Sequence, residues 1–411
     1  MESEKKYWDS YYANLKGLDD NSFFSRYIYD TYISNYNKQG VFLKIGDFGC
    51  GNCRDSKFFA NKGNYTISID KSGSLNDNHS NIERILDDVE HAITNNNLET
   101  LLDMVYMRWF LHAMPYNKGS VVFSESVKNL KPTGMICIEV RSIHDTELIG
   151  ASTYNDEDKS YFTDHKRWLY SKEMMMKLAN DNDLDILELS EEYNYSNTDT
   201  SNPLLIRFVA KKKLRPSYEL SPNYNIYKDI LPSMRDFSFY TYEKMHIMNA
   251  MLEQHNIKYV AVAGTVLGLN RHGGIIPWDN DIDIGFIASE WSKLMSIKNV
   301  LEQNGLPFHK NGRGDGHCHF GPIDCFLLKQ SGDFLIGDAK TYCHVDEYTK
   351  TAKQIFGFTF VNAPFCSKRS LSHRYGRTYF REGDVNDNFH YSNKKIGRFQ
   401  LHPTDYSYQM M

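Results

Sequence analysis

The chain has 411 residues, 41% apolar and 24% charged, a globular composition that excludes wholesale disorder and fibrous repeats. Its net charge of −5 argues against an electrostatic nucleic-acid binder. Seven scattered cysteines, odd in number and without framework spacing, read as free thiols of a reducing compartment. With no leader-like apolar stretch after Met1 and no run long enough to span a bilayer, the expectation is a cytoplasmic protein.

Charge divides the chain. Residues 1–213 hold 25 Lys+Arg and 32 Asp+Glu, whereas the remainder holds 22 and 20. The switch falls at Lys211-Lys212-Lys213-Leu214-Arg215-Pro216, where a basic run, Pro216, Pro222 and polar filler read as a linker. The expected organisation is a domain over 1–213, a linker over 214–222 and a second domain over 223–411.

In the first half, Val41–Phe48 reads as a strand ending in a glycine turn, Asp55–Ala60 as a helix and Tyr65–Asp70 as a second strand. Further strands are predicted at Glu83–Leu86, Leu101–Trp109, Gly134–Val140 and Leu204–Ala210. Strands alternating with helices imply an α/β sheet. Asp47-Phe48-Gly49-Cys50-Gly51-Asn52-Cys53-Arg54-Asp55-Ser56 follows the first strand and opens a helix, so its glycines let a ligand approach the backbone. The third glycine of a dinucleotide loop is absent. An acid, Asp70, ends the next strand 23 residues after Asp47, where it can hold both hydroxyls of a ribose, and Asp87-Asp88 follows the third.

This segment resembles the class I S-adenosylmethionine-dependent methyltransferases, whose motif stands here as D-x-G-C-G-x-x-R-D-S. The resemblance covers residues 1–212 and implies a Rossmann-like fold. It implies that Asp47, Gly49, Cys50 and Gly51 form the cofactor loop, that Asp70 holds the ribose, and that Asp87 or Asp88 lies near the adenine. Cys53, at a position expected to be Gly or Ala, reads as a packed small side chain rather than half of a redox pair with Cys50. Methyl transfer needs alignment and exclusion of water, and for an oxygen nucleophile a base. The candidates are His112, after the fourth strand, and His165 and Arg167 in Asp164-His165-Lys166-Arg167. Arg141 and Asp145 join the same pocket, and Tyr7, Trp8, Phe23, Phe24, Arg26 and Tyr27 read as a lid.

In the second half, Val260–Thr265 reads as a buried strand ending in a small-residue turn. Asp281 and Asp283 alternate, so a strand there points both to one face. Paired carboxylates repel unless a hard cation lies between them, and Mg²⁺ or Mn²⁺ with one or two carboxylates and substrate phosphates is the expected arrangement. Asp324, at the end of Gly321-Pro322-Ile323, supplies a third acid for a two-metal site. Asp279 is either a further metal ligand or an orienting group.

The stretch from Ala263 to Ile284 resembles the LicD family, which includes fukutin-like proteins, through A-G-T-x-L-G-x-x-R-H-x-G-x-I-P-W-D-x-D-I-D-I. Ile323-Asp324-Cys325-Phe326 and Leu371–Gly376 resemble its later segments, so the likeness covers about residues 240–385. It implies an α+β nucleotidyltransferase fold that moves a phospho-alcohol from a CDP-linked donor to a glycan or lipid-linked glycan. Gly264 and Thr265 would hold the donor phosphates, and Arg271, His272 and Arg374 would contact phosphate. His317-Cys318-His319 invites a zinc reading, but Cys325 and Cys343 lack finger spacing.

Together the halves predict a bifunctional enzyme of cell-surface glycan decoration, active at or near the inner membrane face and without a nucleic-acid partner. In one alternative, the first half methylates the amino-alcohol phosphate that the second transfers. In others, the second half is a nucleotidyltransferase acting on RNA or protein, or one half is a scaffold.

Overall fold

Five apolar runs of the first half become the parallel core of one sheet. β1 (Lys44–Phe48), β2 (Tyr65–Asp70), β3 (Ile82–Leu86), β4 (Leu102–Arg108) and β5 (Leu130–Arg141) pair in the order β3-β2-β1-β4-β5. Parallel neighbours require crossovers, which the helices Arg54–Asn61, Val89–Ile93 and Tyr116–Lys128 supply. β1 is buried along its whole length, as a strand covered on both faces must be.

β6 (Thr153–Asn155), β7 (Ser160–Phe162) and β8 (Lys166–Arg167) form a small separate sheet. β9 (Leu184–Glu192) and β10 (Leu205–Lys212) then close the main one, β10 antiparallel to β5 and to β9. The resulting order, β3-β2-β1-β4-β5-β10-β9 with one reversed strand next to β5, is a Rossmann-like sheet, as expected. Its strand order reverses between β1 and β4, the switch point outside which open α/β sheets bind ligands.

The computed structural model describes residues 7–11, 20–72, 79–94, 98–196, 201–213, 231–310, 316–337, 342–385 and 397–400. The expected linker, 214–222, lies outside the described residues. The chain divides into two compact units, residues 1–98 with 102–213 and residues 99–101 with 214–411.

The second unit begins with the helix Leu231–Gln254, whose Met245, Met248 and Leu252 are buried in its core. The stretch read as a strand over Val260–Thr265 is strand only at β11 (Val260–Ala261), because the chain turns at Ala263 (φ 48°) into the helix Ala263–Arg271. β12 (Ile282–Ile287), β13 (Phe308–Lys310), β14 (His317–Phe320) and β15 (Ile323–Ser331) complete a mixed sheet in the order β11-β12-β15-β14-β13. β12 and β15 run parallel, whereas β14 and β15 form a hairpin. Among the described residues no helix is long and apolar enough to cross a membrane.

One buried carboxyl ties the first unit together. Asp55, in the first turn of helix Arg54–Asn61, accepts from Ser22 N–H (2.7 Å), the Ser22 hydroxyl (2.8 Å), the Ser25 hydroxyl (2.9 Å) and the Tyr106 hydroxyl (2.9 Å). It thereby joins the helix Phe23–Ile28, capped by Ser22, to β4. Asp55→Ala leaves those donors unpaired in the interior and should cost about 3 kcal/mol or more. The first transition in urea unfolding, followed by tryptophan fluorescence, reads that loss.

Candidate functional site

In the first unit, the chain leaves β1 through Gly49 to Cys53. Gly49 takes φ +76°, and a β-carbon on it would fall 2.3 Å from Cδ2 of Phe110, so only glycine lets the loop lie against that ring. Gly51 N–H donates to Asp70 Oδ2 (2.9 Å), and Asp70 Oδ1 accepts from the N–H and the hydroxyl of Ser72 (2.9 Å each). Asp70, half-buried at the end of β2, therefore braces the loops that follow β1 and β2 at the switch point.

Three expected cofactor residues are engaged elsewhere. Asp47 is buried beneath the loop and accepts from the Ser56 hydroxyl (2.5 Å), and burial followed by the Asp55 carboxyl pushes it well above the usual carboxylate range. Its side chain serves the strand-to-helix turn. Asp87 pairs with the exposed His91 (2.6 Å), and Asp88 caps the helix Val89–Ile93 by accepting from Glu90 N–H (3.0 Å).

The opposite wall follows β4 and β5. His112 lies in a short turn of helix after β4, is 3% exposed, and accepts the Arg141 N–H at Nδ1 (3.2 Å). Burial, then the Arg141 and Arg167 charges, push its pKa well below the ordinary value. A neutral imidazole accepting at Nδ1 carries its proton on Nε2, so His112 presents a donor rather than the base expected of it.

His165 is better set up as the base. Its Nδ1 lies 3.2 Å from Asp164 Oδ1 and 3.1 Å from the Tyr7 hydroxyl, which itself donates to Asp164 (2.5 Å). Nδ1 then carries the proton and Nε2 is left to accept. Burial, then Arg167, lower its pKa to about 4, so it is neutral at neutral pH. Arg167 grips Asp164 (3.0 Å) and Thr163 (2.5 Å), while Arg141 pairs with Asp145 (2.7 Å). Of the residues read as a lid, Tyr7 and Trp8 pack their rings on His165, whereas Phe24 is buried against Tyr106.

The second unit gathers four carboxylates. Asp283 on β12 and Asp324 on β15 are registered opposite one another on parallel strands, which turns both side chains to one face. Asp281 immediately precedes β12. Asp283 Oδ2 accepts Gly264 N–H (2.9 Å), and Asp283 N–H donates to the Thr265 hydroxyl (2.7 Å). A β-carbon on Gly264 would lie 2.7 Å from Asp279 Oδ2 and 3.1 Å from Asp283 Oδ2, so two carboxylates press on that glycine. Gly264 and Thr265, expected at donor phosphates, also position Asp283.

Burial and then Asp283 push the Asp279 carboxyl up to about 7, and burial followed by Asp281 and Asp324 raises Asp283 well above its ordinary value. Asp324 differs. Burial would raise it, but hydrogen bonds from His317 and His319 outweigh that and hold it below the usual range. His317 Nε2 lies 3.2 Å from Asp324 Oδ2, and His319 Nδ1 contacts Oδ1. The alternation of His317 and His319 on β14, with His319 opposite Asp324, was the available signal for this role. The three donor sets lie close enough to hold a metal ion, whereas the Cys325 and Cys343 of the zinc reading take no part.

Arg271 is 3% exposed and donates to the carbonyls of Tyr379 (2.9 Å) and Glu382 (2.8 Å). His272 is fully buried, edge-on to Trp278, and burial holds it neutral. Arg374, on the helix Lys368–Tyr375, remains a phosphate candidate. Its charge acts on Asp283, it lies over the Tyr375 ring, and among the described residues its buried Nε and Nη1 have no hydrogen-bond partner. It lines a cavity with Val262, Ala263, Ser367 and Ser370.

Residues 256–318 match the family described as LicD/FKTN/FKRP, nucleotidyltransferase domain. The chain is thus similar to LicD proteins over this stretch. An uncharacterised protein of Rickettsia prowazekii is 42% identical over 95 residues, 23% of this chain and 35% of that one. The lipopolysaccharide cholinephosphotransferase LicD of Haemophilus influenzae is 37% identical over 49 residues, 12% of this chain and 18% of that one. The chain thus spans about a third of the first of these relatives and a fifth of the second. A solved S-adenosylmethionine-dependent methyltransferase from Clostridium acetobutylicum is similar at 16% identity and a TM-score of 0.37, covering 51% of this chain and 98% of that one.

The raised Asp279 predicts a stability profile for the second unit. Because its folded pKa of about 7 exceeds the unfolded value, the folded state binds more protons between the two. In chelator, stability should therefore fall as pH rises from about 4 to 7. Asp279→Asn should flatten that slope, read as the urea midpoint against pH.

Proposed function

We propose that the chain is a bifunctional transferase of glycan decoration. Its first unit transfers methyl groups from S-adenosylmethionine, and its LicD domain transfers a phospho-alcohol from a CDP-linked donor to a sugar hydroxyl. The observation that carries the second activity is the gathering of Asp279, Asp281, Asp283 and Asp324 near the guanidinium of Arg374.

That donor set fits a hard divalent cation. Oxygen ligands predominate, and the carboxyls are raised in part by mutual repulsion that a cation relieves. Asp281, Asp283 and Asp324 would hold Mg²⁺ or Mn²⁺, which when bound supplies positive charge to a pyrophosphate and its leaving group. Asp279 supports Asp283 from the Gly264 side. Arg374 offers two buried N–H directions to phosphate oxygens. His317 and His319 keep Asp324 oriented and ionised.

In the first unit, the residues fit S-adenosylmethionine at the switch point. Gly49 and Gly51 bring backbone to the ligand, and Asp70, braced by Gly51 and Ser72, faces the ribose position. The cofactor when bound supplies an electrophilic methyl group. His112 donates from Nε2, His165 accepts at Nε2, and Tyr7 and Trp8 cover His165 against water. The acceptor is a hydroxyl or amine of the same glycan or of its substituent. The expected partners are the nucleotide-linked alcohol and the glycan or its lipid-linked precursor, without nucleic acid, in the cytoplasm or at the inner face of the membrane.

Two measurements test the division of labour. Asp70→Ala should weaken S-adenosylmethionine binding by about ten-fold or more in calorimetry, through loss of charge-assisted bonds to the ribose. Unchanged affinity would remove Asp70 from the site. Asp283→Asn should abolish phospho-alcohol transfer from the CDP-linked donor while methyl transfer persists, and EDTA should reproduce that pattern in the unaltered chain. Phospho-transfer that survives chelation, or methyl transfer lost with it, would reject the assignment.

A further inference from the structure

The loop after β1 carries a second chemistry. The sulfurs of Cys50 and Cys53 lie 3.2 Å apart, within hydrogen-bond distance. Arg84, projecting from β3, sends Nη1 to both of them, 2.9 Å from Cys50 Sγ and in direct contact with Cys53 Sγ. The guanidinium is fixed in that position by the carbonyls of Gly51 (3.3 Å, from Nη1) and Ser72 (2.9 Å, from Nη2).

Two neutral thiols need no cation. A half-buried guanidinium turned onto sulfur is stabilised when the sulfur carries charge, and an adjacent arginine favours the thiolate. Consistent with this, the hydrogen bond with Cys50 comes first and Arg84 adds to it in lowering the Cys53 thiol, although burial opposes them. Cys53 also holds a left-handed backbone (φ 56°) at the start of helix Arg54–Asn61, a conformation that glycine adopts without strain. The β-carbon is strained there, and its sulfur lies against its neighbour.

We propose that Cys50 and Cys53 are a reversible dithiol–disulfide site that reacts with hydroperoxides. One sulfur, as thiolate, attacks an oxygen of the peroxide. The O–O bond breaks, hydroxide leaves, and a sulfenic acid forms. The second sulfur attacks that sulfur, the S–S bond closes, and the hydroxyl leaves as water with the second thiol's proton. Two electrons pass from the sulfurs to the peroxide. Access is through Cys50, which is partly exposed; burial pushes its thiol up, so it attacks only once its charge is held by Arg84 and by the hydrogen bond that Cys53 donates to it, while the fully buried Cys53 keeps its proton and resolves. This replaces the reading of Cys53 as a merely packed side chain, and it is independent of which ligand the loop holds.

The other cysteines make the contrast. Burial pushes up the thiols of Cys137, Cys325 and, to about 12, Cys343, as it does that of Cys50, but Arg84 is turned onto Cys50 and Cys53, while Cys366 is exposed. The test exposes the reduced full-length chain to hydrogen peroxide, traps residual thiols with iodoacetamide and maps tryptic peptides. Cys50 and Cys53 share one peptide, Ile45–Arg54. It should lose two hydrogens and resist alkylation before Cys366 reacts, and dithiothreitol should restore both thiols. Arg84→Gln should slow the closure about ten-fold or more. In Cys53→Ala, the sulfur of Cys50 has no partner and should stall as a sulfenic acid captured by dimedone. Full alkylation of both sulfurs at peroxide levels that oxidise Cys366 would overturn the proposal. So would closure at an unchanged rate in Arg84→Gln with no dimedone adduct in Cys53→Ala.

Discussion

Like charges held together in a low-dielectric interior govern the second unit. Asp279, Asp281, Asp283 and Asp324 repel one another, and burial sharpens that repulsion. The surrounding chain is organised to keep them in place. Gly264 N–H and the Thr265 hydroxyl grip Asp283 from one helix N-terminus, and two histidines grip Asp324 from the neighbouring strand. The strand register sets the spacing of the two, and the loop from His272 to Trp278 is fastened through buried Ile275, Ile276 and Trp278. Tyr242 holds that loop by its hydroxyl, which accepts the Ile275 N–H (2.8 Å). Most residues of the long sequence motif are thus packing residues, and the few that face the acids depend on them.

The first unit solves a related problem with less charge. Its sheet reverses direction between β1 and β4, so two loops diverge and leave a crevice. Asp70 braces the β1 and β2 loops on one side of that crevice, and the polar residues His112, Arg141 and His165 follow β4 and β5 or lie in the small sheet of β6 to β8. The two units share a design in which buried strands are the rigid support and short loops at their ends carry the chemistry.

How much of this was legible in the sequence depended on whether a residue's role was local. β1, β2 and β4 were readable because continuous apolar runs bounded by glycine or acid leave few alternatives. β9 was not, because its exposed edge alternates weakly among Asp185, Glu188 and Glu191. The acids Asp70, Asp283 and Asp324 were readable from strand ends and alternation. The partners of Arg271 and Asp47 were not legible, because a charged side chain in a motif looks the same whether or not it satisfies buried carbonyls and hydroxyls, and only the tertiary structure supplies them. His317 and His319 were visible as a pair, but their partner was hidden in the pairing of β14 with β15.

That hairpin has a consequence for how the domain can change over time. His319 stands opposite Asp324 because the turn between β14 and β15 contains only Gly321 and Pro322, with Phe320 paired to Ile323. Side chains alternate with a period of two, so inserting or deleting one residue in that turn would rotate every later side chain of β15 to the other face. Asp324 would leave the acids, and Ile323 after an insertion, or Cys325 after a deletion, would take its place among them. Length variation is therefore tolerable in the surrounding loops but not at this turn, and a lineage that altered it would have to rebuild the third carboxylate elsewhere.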